Sequence, residues 1–149
     1  MEFEKNNCVY IKFPAIPENE KLSRMMAAAF LAEMNPTVEE LDDVKTAVSE
    51  AVTNCIIHAY DRKERNQKEV ELLFQREEQQ LWITVTDRGK GIENVSQAME
   101  PMFTTRPKEE RSGMGFSFME AFMDEVTVES VIGEGTRVQM KKSIGNRKV

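Results

Sequence analysis

At 149 residues the chain has the length of one domain, 1–149, able to bury roughly two-thirds of the surface its unfolded form would expose. Its residues are 40% apolar and 31% charged, and no apolar run approaches the about 18 residues of a membrane span, which excludes a helical membrane protein. A net charge of −6 argues against a nucleic-acid surface, where a basic stripe is expected, and leaves small ligands or proteins as partners.

The amino-terminal MEFEKNNCVY has neither the basic start nor the apolar stretch of a secretory signal, so a cytoplasmic protein is expected. Cys8 and Cys55 lack metal-type spacing, and both are expected to be reduced, small core-filling side chains. Residues 9–13, VYIKF, are β-branched and aromatic and are stopped by Pro14 and Pro17, which predicts a first strand suited to a sheet edge. From Glu18 to Met34 a helical stripe of Leu22, Met25, Met26, Ala29 and Phe30 ends at Asn35-Pro36. Thr37, with Glu40 three residues later, forms a capping box that opens a second helix. Its apolar face is Leu41, Val44, Val48, Ala51, Val52 and Cys55, and it continues to about His58.

After the charged DRKERNQKE, the runs VELLFQ and QLWITVTD read as a hairpin. Gly89 and Gly91 follow, then a short helix around Val95–Met99, a loop rich in Thr, Arg and Glu, and a helix near GMGFSFMEAFMD. VTVESV and TRVQMKK, joined by IGEG, form a second hairpin before a basic tail. This order predicts an α/β (α+β) two-layer sandwich, a mixed, mostly antiparallel sheet covered on one face by helices.

Four short stretches carry chemistry. On a helix turning about 100° per residue, Glu50, Asn54 and His58 form a slowly drifting line at the border of the apolar stripe, where they would face a cleft beside the core. A carboxylate there can take a proton and an amide oxygen can ligate a hard cation, although three such residues also serve to cap or bridge neighbouring loops. In LWITVTD, alternation puts Asp87 at the end of the row Leu81, Ile83, Val85 that points at the core, and a buried carboxylate must find donors. Gly89 and Gly91 then allow a tight turn and close approach of a flat ligand, or simply end a strand. SGMGFSF offers unobstructed N–H groups at a helix start, a favourable place for phosphate or a point of close packing. The preceding FTTRPKEERSG combines hydroxyls and basic side chains as a mobile lid would, or as a solvated loop. Thr136 alternates with Val138 and Met140 and turns towards the same interior as Asp87. No Walker loop G-x-x-x-x-G-K-[ST] and no strand followed by G-x-G-x-x-G is present.

The ordered set S-E-A-V-T-N-x-x-x-H, D-R-G-K-G, G-M-G-F and G-T resembles the Bergerat ATP-binding family, which includes sensor histidine kinases, gyrase-type ATPases and Hsp90 chaperones. The compact length, the MFTT segment with RSGMGF and the absence of a histidine-bearing dimerisation helix look like its anti-sigma-factor serine kinases, above all the sporulation anti-sigma F factors. The resemblance runs from the first strand to the final G-T and implies a Bergerat fold that binds ATP or ADP with Mg²⁺. By that likeness Asn54 ligates Mg²⁺, Glu50 is the general base for a protein serine hydroxyl, and Asp87 accepts from the adenine amino group. Gly89 and Gly91 make room for the ring, with Thr136 near the same contact. Gly113, Met114, Gly115 and Phe116 cradle phosphates, Thr104, Thr105 and Arg111 lie in the lid, and His58 braces the helix end.

The likeness also implies a homodimer that holds a sigma factor away from RNA polymerase and phosphorylates a STAS-type anti-anti-sigma protein on serine. Arg24, beside Met25, Met26 and Phe30, is the candidate docking residue. An alternative is a non-catalytic module whose nucleotide only sets its affinity for a sigma factor. A free-standing histidine-kinase catalytic domain is a third reading.

Overall fold

Alternating strands and striped helices assemble into two layers in a computed structural model, which describes residues 6–61, 63–64, 67–100 and 115–145. In chain order these are β1 (Asn6–Pro14), α1 (Glu18–Leu31), a 3₁₀ turn (Ala32–Met34) and α2 (Val38–Asn54), which runs on as a π-helical segment (Cys55–Ala59). Then come β2 (Glu69–Glu77), β3 (Gln80–Asp87), α3 (Val95–Ala98), α4 (Gly115–Phe122), β4 (Glu125–Val131) and β5 (Gly135–Ser143). The sheet has the order β1-β2-β3-β5-β4, and each neighbouring pair is antiparallel. It is the helix-covered sheet the sequence predicts, with the antiparallel component accounting for every described pairing. Short turns dictate that outcome for β2–β3 and β4–β5, because a parallel pair needs a crossover of a dozen or more residues, whereas β1–β2 and β3–β5 are antiparallel across long helical connections. The first strand does lie at an edge.

Register explains where the core sits. One row across the sheet aligns Val9, Phe74, Ile83, Met140 and Val126, and the next aligns Ile11, Leu72, Val85, Val138 and Val128. These rows face the helices, and α2 lays Val44, Ala47, Val48, Ala51 and Val52 over them, all fully or almost fully buried. Each valine so covered contributes about 1.5–3 kcal/mol of apolar transfer free energy. The third row is Phe13, Val70, Asp87, Thr136 and Ser130. It begins apolar and ends polar, and that change marks one end of the core as a site.

The second helix begins and runs as its sequence predicts. Thr37 caps it through its hydroxyl, which accepts the Glu40 N–H at 3.0 Å, while the Glu40 carboxylate accepts the Thr37 N–H at 2.8 Å. The first helix differs from expectation. Ser23, Ala27 and Leu31 form its buried face, whereas Leu22 and Met25 are 47% and 59% exposed. Small Ser23 and Ala27 let α1 approach α2 closely, and the Ser23 hydroxyl is satisfied within its own helix by donating to the Glu20 carbonyl at 2.6 Å. Phe30 still reaches inward and stacks on Phe74 with ring centroids 5.4 Å apart. Cys8 also departs from expectation, since it lies exposed on the uncovered face of the edge strand, while Cys55 is buried as expected.

Replacing Thr37 by Ala removes one half of the capping box and is expected to lower the unfolding free energy by about 1 kcal/mol. Urea denaturation followed by circular dichroism checks this, with the slope of the transition unchanged.

Candidate functional site

A cleft of about 440 Å³ opens between the end of α2, the loop after β3, the start of α4 and the β4–β5 hairpin. Its volume is that of a small-molecule site, with apolar walls and a few polar groups. Ile92, Ala98, Phe116, Ile132 and Val138 supply the walls, and Asn54, His58, Asp87, Lys90, Asn94 and Thr136 supply polar atoms.

Asp87 is the best-defined of these. It is 6% exposed, and burial raises its pKa above the ordinary carboxylate value. Three donors oppose that rise by stabilising the charged form: the Gly89 N–H, at 2.9 Å from Oδ1, the Cys55 S–H and the Thr136 N–H. The β3–β5 register sets Thr136 directly opposite Asp87, and the Thr136 and Ser130 hydroxyls lie 2.8 Å apart. Ser130 also accepts the Ile92 N–H at 2.8 Å, so β4 and β5 together fix the loop that walls the cleft. Behind Asp87, Tyr60 donates to the Glu69 carbonyl and accepts the Arg88 N–H, each at 2.8 Å. Burial is the main cause that pushes the Tyr60 hydroxyl up to about 12. Cys55 is likewise pushed well up, first by burial and then by the Asp87 charge, so its thiol stays protonated.

The two glycines of DRGKG do different work. A Cβ on Gly89 would stand 2.2 Å from the Ala59 carbonyl oxygen, so this residue leaves room for the π-helical segment of α2. That carbonyl accepts the Lys90 N–H at 3.0 Å and ties the loop down. Gly91 lines the cleft itself, at φ +80°, a left-handed conformation that glycine adopts without strain.

At the other end of the cleft, Gly115 at the start of the described part of α4 sits directly over α2. A Cβ there would lie 3.1 and 3.2 Å from the amide atoms of Asn54 and 3.4 Å from Glu50 Oε2. Glu50 and Asn54 are therefore brought together beneath the glycine turn, with Asn54 in the cleft wall and Glu50 one helical turn further out. An amide oxygen beside a carboxylate suits Mg²⁺, which keeps waters and phosphate oxygens as most of its ligands. His58 lines the cleft in the last turn of the π-helical segment, and Phe116 of α4 lines the same cleft. Gly113, Met114, Thr104, Thr105 and Arg111 lie outside the described residues.

Arg24 is away from the cleft, on α1. Its guanidinium pairs with Glu20 at 2.8 Å, and Glu20 also accepts from the Ser49 hydroxyl on α2, one residue before Glu50. Sequence reasoning missed Tyr60, Ser130 and the polar role of Cys55. Alternation along VTVESV puts Ser130 on the inner face after Val126 and Val128, a signal that was available. Tyr60 and Cys55 carried none, because their partners come from distant strands.

Residues 13–142 match the family described as histidine kinase-like ATPase domain, and the chain belongs to that family. The family match implies that the domain binds ATP. An anti-sigma F factor of Caldanaerobacter subterraneus subsp. tengcongensis is 50% identical over 148 residues, covering 97% of this chain and 99% of the relative. Another, from Clostridium acetobutylicum, is 52% identical over 136 residues, covering 91% and 93%. Within the wider family the chain thus belongs to the anti-sigma F factors. The fold is also that of the solved RsbU and RsbW domains of Rv1364c from Mycobacterium tuberculosis, at a TM-score of 0.67 and 17% identity over 93% of this chain and 32% of that longer one.

Replacing Gly89 by Ala forces a methyl group into the Ala59 backbone. A loss of about 1–3 kcal/mol is expected, as for other overpacked contacts, together with weaker ATP binding. Thermal unfolding with and without nucleotide checks both.

Proposed function

We propose that this chain is an anti-sigma factor that sequesters a sporulation sigma factor and uses Mg-ATP to phosphorylate a STAS-type anti-anti-sigma protein on serine. The observation that carries the reading is the meeting of Glu50, Asn54 and Gly115 at one end of a cleft whose other end holds the buried Asp87. In this reading Asp87 accepts from the adenine amino group, and Ile92, Phe116 and Ile132 exclude water around the ring. The γ-phosphate then reaches the Glu50 and Asn54 end. Asn54 is the protein ligand of Mg²⁺, which neutralises phosphate charge when bound. Backbone N–H groups of the glycine turn, Gly113 to Phe116, supply further donors where the helix dipole is positive. Thr104, Thr105 and Arg111 are proposed to close over the phosphates.

Phosphoryl transfer depends mainly on positioning and on neutralised charge. The serine oxygen of the partner attacks the γ-phosphorus as the bond to the β-phosphate breaks, ADP leaves, and Glu50 takes the serine proton. His58 braces the end of α2 and takes no proton in this scheme.

Arg24 is the proposed docking residue for partner proteins. In support, Met25 and Leu22 beside it are exposed, and its guanidinium forms an ion pair with Glu20. Glu20 in turn bonds Ser49, so a partner that pulls on Arg24 acts on the helix carrying Glu50. A homodimer in the cytoplasm, formed by one domain per chain, completes the proposal. No helix among the described residues is long and apolar enough to cross a membrane.

Glu50→Gln is expected to keep ATP affinity within about twofold while slowing transfer by at least about 10²-fold, the usual contribution of a positioned base. Mass spectrometry of the STAS partner after incubation with Mg-ATP measures this, and equal phosphoserine yields from variant and wild type would remove Glu50 from the mechanism. A wild type that binds ATP and sigma factor yet transfers nothing would instead favour the nucleotide-gated binding module. Arg24→Glu is expected to weaken the sigma-factor complex by about tenfold or more with ATP affinity unchanged, read by calorimetry of each ligand separately.

A further inference from the structure

Ser130, on β4, has three polar neighbours and a single hydroxyl proton. Its oxygen accepts the Ile92 N–H at 2.8 Å, stands 3.1 Å from the Gly135 carbonyl oxygen and 2.8 Å from the Thr136 hydroxyl oxygen. A carbonyl only accepts, so the bond to Gly135 uses the Ser130 proton. The bond to Thr136 is then made with the Thr136 proton, given to the second lone pair of Ser130. Only this arrangement makes all three bonds at once. Thr136 is 9% exposed, and a bond left unmade away from water is costly. The acceptor at Gly135 is itself fixed, since a Cβ on that residue would stand 2.1 Å from the Asp87 carbonyl oxygen and only glycine lets the start of β5 close on the end of β3.

With its proton turned to Ser130, Thr136 keeps an oxygen that accepts. The β3–β5 register sets Thr136 directly opposite Asp87, and both residues line the cleft. Two neighbouring acceptors suit a 6-aminopurine, whose amino group carries two N–H donors, and oppose a 6-oxopurine, whose oxygen needs a donor. We infer that Ser130 is a positioning residue for base selection: it holds the Thr136 hydroxyl as an acceptor, and part of the cleft's preference for adenine over hypoxanthine depends on it. The inference rests on the reading of Asp87 as the adenine acceptor.

Among the described residues that line the cleft Ser130 has no place, so it acts through its neighbours. Without its hydroxyl the Thr136 proton loses its partner and turns to the cleft, where a 6-oxo group accepts it. The Ile92 N–H loses its acceptor as well, and that loss loosens the cleft wall for either purine. A change in the ratio of the two affinities therefore reports on Thr136, and a common weakening reports on the wall.

The experiment measures dissociation constants of Mg-ATP and Mg-ITP by calorimetry at one pH for wild type, Ser130→Ala, Ser130→Thr, Thr136→Val, the double variant Ser130→Ala with Thr136→Val, and Asp87→Asn. Ser130→Ala is expected to lower the preference for ATP over ITP by about threefold to tenfold. Ser130→Thr, which keeps a hydroxyl on the same strand position, retains the wild-type preference. In the Thr136→Val background Ser130→Ala adds no further change in the ratio. Equal weakening of ATP and ITP by Ser130→Ala, no change in either, or a shift of the same size in the Thr136→Val background overturns the inference and leaves Ser130 as a brace for the loop alone. An unchanged preference in Asp87→Asn overturns the reading of Asp87 itself, whereas a preference lost there and kept in Ser130→Ala overturns only the role given to Ser130.

Discussion

The site depends on one constraint: a carboxylate buried at the end of the central strand must be surrounded by donors. Asp87 completes the inward-facing row of β3, where the two neighbouring rows are apolar, so nothing in the core could satisfy it. Left unpaired, such a group costs several kcal/mol or is neutralised. The donors come from three places distant in the chain, the end of α2, the loop after β3 and the start of β5. Each must be held within hydrogen-bonding reach and direction. The π-helical end of α2, the close packing of Gly89 on Ala59 and the register of Thr136 opposite Asp87 provide that precision.

The same arrangement gives the cleft two unlike ends. Around Asp87 the walls are apolar and the acceptor is fixed, conditions suited to a flat base with one amino group. Around Glu50 and Asn54 the chain presents a carboxylate and an amide beneath a glycine, conditions suited to phosphate, a hard cation and a proton to be removed. Both ends are carried by α2, whose rigid seating on the sheet through Val44, Val48 and Val52 keeps their separation constant. The stability of the core and the geometry of the proposed chemistry therefore share one helix.

On the opposite side of that helix lies α1, with a buried face of small residues and an exposed face that retains Leu22 and Met25. Its Glu20 links Arg24 to Ser49, so two polar contacts join the outer surface of α1 to the helix that carries Glu50 and Asn54. In the proposed function Arg24 docks a partner and Glu50 takes the serine proton, and this link joins the helices that carry the two residues.

Local pattern alone determined a good deal. The capping box at Thr37, the apolar face of α2, both hairpins and the inward row ending in Asp87 follow from periodicities of 3.6 and 2 and from turn residues, which act over a few neighbours. The spacing of Glu50 and Asn54 was legible for the same reason. What only the tertiary structure decided is which of two apolar faces of α1 is buried, because Ser23 and Ala27 win by fitting closely against α2 although Leu22 and Met25 are more hydrophobic. It also decided that Cys8 is exposed, since the sheet is covered on one side only, that Cys55 is buried in the cleft that holds Asp87, and that Tyr60 accepts the N–H of Arg88 next to Asp87. A hydrogen bond between residues more than twenty positions apart leaves no periodic trace, so such partners become visible only when the fold closes around the carboxylate that needs them.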